Sequence, residues 1–179
     1  MIRALLLPLA LLAGCTQVVM PDPVHLPRDS VEGAGDPTRA AVTRTAYAFT
    51  RPEILAGRPG EAARAIADME FLAAALPFDP LYQQRDPLLP QRLAMARAEW
   101  RAALGIAPEQ PAQPVIDGLY GVARASAEGQ ALRLPEGIIS RDGLTRLADL
   151  PALPQTAQAA AAASRVQMEQ QFPTGRRRF

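Results

Sequence analysis

Apolar residues return every three to four positions along five stretches of the chain, and that period marks helices rather than strands. The clearest run is 61–76, where Ala62, Ile66, Met69, Ala73 and Leu76 form one stripe with Leu72 beside it. Glu61, Arg64 and Asp68 fall on the other side, which reads as a solvated face held by charge pairs three and four residues apart. A helix over 38–49 would turn Ala41, Val42, Thr45, Ala46 and Phe49 inward, and one over 88–104 would bury Leu89, Leu93, Ala96, Trp100, Ala103 and Leu104. A fourth, 114–128, carries Val115, Leu119, Val122 and Ala123. The fifth, 155–171, is rich in Ala, with Ala159, Ala162, Val166 and Phe172 as its best stripe, and is expected on the outside of the bundle. Between the last two, 129–139 has no clear period and reads as a short strand or irregular segment. Ser140 is placed to cap a brief helix over 141–149.

Proline, aspartate and glycine punctuate these runs. Asp36-Pro37, Asp79-Pro80 and Asp86-Pro87 each pair a side chain that accepts an orphan amide with a residue that has no amide to orphan, a signature of helix starts. Pro52 disfavours helix at Arg51, so the first helix should break there and a short turn around 53–56 should close at Gly57. The stretch FDPLYQQRDPLLP, 78–90, reads as a loop with two turns whose Phe78, Leu81 and Tyr82 fold back on the core. Gly118 and Gly121 lower intrinsic helix stability by about 1 kcal/mol each, which suggests a close helix approach there. The expected fold is therefore all-α: a small bundle of about five to six helices arranged as antiparallel hairpins. A Pro- and Gly-rich disordered tether, 15–36, precedes it, the helical domain covers 37–172, and a basic tail, PTGRRRF, covers 173–179.

Residues 46–80 resemble one tetratricopeptide-type helical hairpin: a Tyr-bearing helix, a Gly turn, an Ala-rich second helix, then Asp-Pro. Tyr120 with Gly129 partly repeats Tyr47 with Gly57, but no second helix follows Gly129. The resemblance supports hairpin packing and not a repeat array.

The N-terminus carries the most specific signal. Arg3 precedes an apolar run from Ala4 to Gly14; eleven helical residues would span roughly 16 Å against about 30 Å of bilayer hydrocarbon, too short to cross. A cation, an apolar middle and small residues at the end form a removable export signal, 1–14. Leu12-Ala13-Gly14-Cys15 resembles the lipobox of bacterial lipoproteins. That resemblance implies cleavage before Cys15, diacylglycerol on its thiol and acylation of the new amino group, a palmitate-type anchor. Each buried methylene contributes about 0.8 kcal/mol, so two or three chains hold firmly. Thr16 follows the cysteine where an Asp would imply retention at the inner membrane, which favours the outer membrane. The implied location is the cell envelope, lipid-anchored and facing the periplasm.

Composition narrows the chemistry. All 19 basic residues are Arg, and removal of the leader leaves 18 Arg against 18 acidic residues, a balance that does not suggest nucleic acid as a partner. Cys15 is the single cysteine, so disulfides cannot brace the domain. His25, the single histidine, lies in the expected tether, and Ser30, Ser126, Ser140 and Ser164 lack a G-x-S-x-G setting. No zinc pattern, Walker A loop or dinucleotide fingerprint is present, so no catalytic residue, metal or cofactor is assigned. The expectation is a non-enzymatic scaffold or accessory interaction module that binds the bilayer through acylated Cys15 and another envelope protein through its helical surface. The alternative is a cell-wall-active enzyme or small-molecule-binding lipoprotein using carboxylates between helices, with Asp68 and Glu70, or Asp79 and Asp86, as candidates. A cleft with unpaired acids would favour catalysis, a closed apolar cavity carriage, and an apolar groove adaptor work.

Overall fold

A computed structural model of the chain describes residues 23–31, 35–133, 137–140 and 142–171. Among these there are seven α-helices and no strand. They are α1 (Pro37–Thr50), α2 (Pro59–Ala75), α3 (Pro80–Arg85), α4 (Leu89–Leu104), α5 (Ala112–Ala127), α6 (Gly143–Ala148) and α7 (Pro154–Gln171). The five long helices lie where the apolar period places them, within two residues at each end.

The starts work as the Asp-Pro signals imply. Asp36 Oδ1 accepts from the amide of Thr38 at 2.9 Å, and Asp79 Oδ1 from Leu81 at 2.8 Å. Asp86 Oδ1 takes the Leu88 amide at 3.1 Å, one turn ahead of α4. The cap at Asp79 also turns part of the expected 78–90 loop into α3. Tyr82 there is buried as foreseen, but Phe78 and Leu81 stay exposed instead of covering the core.

The helix α2 is central. It packs against α1, α4, α5 and α6, and twelve of its seventeen residues are buried. Helices α1, α2, α4 and α7 form a closed ring in which each touches the next, and α5 lies outside it against α2. The pair α2/α5 is antiparallel: Gly60, at the start of α2, abuts Ser126, at the end of α5. The pair α4/α7 is antiparallel as well, with Glu99 of α4 at the first turn of α7. Trp100, Ile66, Met69, Leu72, Leu93 and Leu119 are fully buried in the shared core.

Four local expectations are corrected. The helix α7 is not peripheral, because it closes the ring between α1 and α4 and buries Thr156, Ala159, Ala160, Ala162, Ala163, Val166 and Gln167. Gly121 has nothing near the position of a Cβ, whereas a Cβ on Gly60 would meet Ser126. Ser140 does not cap α6: its hydroxyl donates to the Leu104 carbonyl at 3.2 Å, closing the end of α4. Residues 23–31, read as tether, lie along the domain, with the His25 amide donating to Gln113 Oε1 at 2.8 Å and Ser30 buried.

Candidate functional site

Residues two apart on a helix point to nearly opposite sides, and α2 uses this with two acids. Asp68 faces α1 and α5, whereas Glu70 faces α4. Neither is solvated, which corrects the expected polar face: both are fully buried.

Asp68 accepts from Arg44 Nε at 2.7 Å and Nη2 at 3.0 Å, and from the Tyr120 hydroxyl at 2.6 Å. The two-pronged guanidinium contact fixes geometry as well as charge. Burial alone would lower the Arg44 pKa, but the hydrogen bonds and charge of Asp68, with Tyr120, outweigh it and raise it. Burial and then the Asp68 charge push the Tyr120 phenol well above its ordinary range, so it remains a donor.

Glu70 gathers donors from α4 alone. Its Oε1 accepts from Arg97 Nε at 2.8 Å and from Arg101, and its Oε2 accepts from the Trp100 indole at 2.9 Å and Arg101 Nε at 3.3 Å. Arg101 then reaches past the helix end, donating to the carbonyls of Ala107 at 3.0 Å and Pro108 at 2.9 Å. The buried acid thus holds a buried cation that holds the 105–111 connector. Trp100 is the core anchor its spacing implies, with an added polar role.

That connector forms one wall of an open apolar groove of about 1180 Å³. Ala73, Ala94, Ala98, Phe78, Pro108 and Pro111 are among the residues that line it. Arginines 97 and 101 also border it, both engaged by Glu70.

The carboxylate pairs weighed from the sequence are not brought together as pairs. Asp68 and Glu70 diverge, and each is neutralised by arginine. Asp79 and Asp86 serve helix starts, and Asp86 also pairs with Arg92. No group of three or more potential metal ligands occurs among the described residues. Leu12, Ala13, Gly14, Cys15 and Thr16 lie outside the described residues.

The composition of α2 held the missed signal. Alanines at 62, 63, 65, 67, 73, 74 and 75 surround the helix on every side, and a helix apolar all round is buried. Acids within such a helix need cationic partners, which Arg44, Arg97 and Arg101 supply. Comparison with family models, curated proteins and solved structures finds no match.

Proposed function

We propose that the chain is an envelope lipoprotein, anchored through acylated Cys15 and facing the periplasm from the outer membrane. It acts as a non-enzymatic scaffold or accessory module for another envelope protein. The lipobox at Leu12–Cys15 supports the anchor. Among the described residues no helix is long and apolar enough to cross a membrane.

The observation that carries the adaptor reading is the contrast between the two kinds of candidate site. The two acids between helices are each paired with arginine, while a broad groove beside the 105–111 connector is open and apolar. Each acid is clasped by guanidinium, an arrangement unlike the paired, substrate-facing carboxylates of a glycosidase.

Fractionation of cells expressing the Cys15→Ser variant tests the anchor. The unmodified chain should stay with the envelope and the variant should move to the soluble periplasmic fraction. Mass spectrometry of the purified protein should show a chain starting at an acylated residue 15. A bare residue 15, an uncleaved leader, or a variant that stays on the membrane overturns the anchor.

A further inference from the structure

Three arginines from three different helices converge on two residues of the 23–31 segment. Arg44 of α1 donates to the Ser30 carbonyl at 2.9 Å, and Arg64 of α2 donates to the same oxygen at 3.0 Å. Arg124 of α5 contacts both oxygens of Asp29, at 3.2 and 3.3 Å. Arg44 thereby links the segment to the buried Asp68–Tyr120 contact.

The charge balance at this junction is incomplete. Arg44 is neutralised by Asp68, but Arg64 has no carboxylate within ion-pair distance among the described residues. Its cation receives only a neutral carbonyl, and its Nε is buried without a partner. Beside it opens a cavity of about 400 Å³, bordered by Arg58, Arg64, Arg124, Tyr120, Asp29 and Glu61. Without the segment, the described lining residues set three arginines against a single acid, the exposed Glu61. With it, Asp29 offsets one more charge.

Elsewhere the segment is held by Val24 and Leu26, partly buried against the apolar core. Its other polar tie is the reciprocal pair between the His25 backbone and the Gln113 side chain, and Asp29, His25 and Arg124 are all exposed. An exposed ion pair contributes about 0–1 kcal/mol, so the Asp29–Arg124 contact can open at little cost.

We propose that Arg64, with Arg58 and Arg124, forms a binding site for an acidic peptide segment of a partner protein, and that Asp29-Ser30 is its built-in occupant. The occupant defines the ligand: a carboxylate for Arg124 followed by a backbone carbonyl for Arg64 and Arg44. A free peptide with a second acid would also meet the unneutralised Arg64. Release of residues 23–31 opens the site and lengthens the reach of the domain from its N-terminus by roughly 30 Å, at about 3.3 Å per residue. The proposal does not rest on the lipid anchor: the Cys15→Ser form is the material for its test, taken up in detergent should it stay on the membrane.

The test compares that soluble form with a variant also carrying Asp29→Asn and Gln113→Ala, two outer positions whose loss loosens the latch. The probe is a fluorescein-labelled LPRDSVE peptide, read by anisotropy. The loosened variant should bind at least tenfold more tightly than the latched form, and adding Arg64→Gln should remove that gain. Equal affinity in latched and loosened forms overturns the proposal, as does a gain that survives Arg64→Gln. Binding of phosphatidylglycerol vesicles in place of the peptide also overturns it. Hydrogen exchange on the latched form supplies an independent reading: the amides of His25 and Ser30 should exchange at least tenfold faster than those of α2. Protection equal to α2 would make the segment part of the core and sink the idea of release.

Discussion

Glu70 is the residue on which the buried chemistry depends, because five donors from three side chains end on its two oxygens. Removing its charge would leave Arg101 buried without a counter-ion, a loss of about 3–5 kcal/mol for a broken buried pair. Glu70→Gln should therefore shift the denaturant midpoint far down, and a Glu70→Leu, Arg101→Met double variant should regain part of the loss, since an apolar pair has no charge to desolvate. A double variant worse than the single would overturn this account of the pair. Tyr82 gives the pH dependence. Burial, and then the charge of Asp79, push its phenol up to about 12. An unfolded tyrosine titrates near 10, so the folded state holds the proton longer and is favoured fully below about pH 10. That contribution disappears as pH rises from about 10 to 12. Alkaline unfolding followed by circular dichroism should show stability falling through this window, and Tyr82→Phe should flatten the fall.

At the scale of elements, the helices meet through small residues and borrowed caps. A Cβ on Gly60 would lie 2.4 Å from the Ser126 Cβ, so Gly60→Ala forces α2 away from α5 and should cost about 1–3 kcal/mol. Ser126→Gly in the same chain should recover most of it. Gly121→Ala, with open space at its Cβ, should instead stabilise α5 by up to about 1 kcal/mol. Thermal melts of the three variants decide this, and equal effects at the two glycines would refute the packing argument. The first turn of α7 is capped from another helix: Glu99 accepts from the amides of Gln155 at 3.1 Å and Thr156 at 2.8 Å and from the Thr156 hydroxyl at 2.7 Å. Glu99→Gln removes a negative charge from a helix N-terminus and should destabilise by about 1 kcal/mol, seen as a lowered denaturant midpoint. The helices were legible in the sequence because the period of Ile66, Met69 and Leu72, or of Leu89, Leu93 and Trp100, is a local property. The Asp-Pro starts were legible for the same reason. What surrounds a helix is not local, so the fate of Asp68 and Glu70, the inward place of α7 and the contact at Gly60 were not. A stripe argument assumes one solvated side, and from Ala65 to Ala73 every residue of α2 is buried.

For the whole molecule, the ring of α1, α2, α4 and α7 and the outlying α5 share one member, α2, which couples them. The Asp68 cluster joins α1, α2 and α5, and the Glu70 cluster joins α2, α4 and the connector that leads into α5. With α5 tied to the ring at both places, its detachment would strand the Tyr120 hydroxyl and part of the Asp68 hydrogen bonding, so no partly unfolded form is favoured. Trp100, the single tryptophan, sits against Glu70 inside the ring, whereas circular dichroism reports all helices, α5 included. Denaturant unfolding should then give one transition that is coincident by tryptophan fluorescence and by circular dichroism, as a two-state domain requires. An early loss of helical signal while the fluorescence holds would mean that α5 leaves first, and that the two carboxylate clusters brace separate parts instead of one body. Cooperativity of this kind also bears on function: a scaffold bound to a partner at one face stays rigid only if its outer helix cannot peel from the rest.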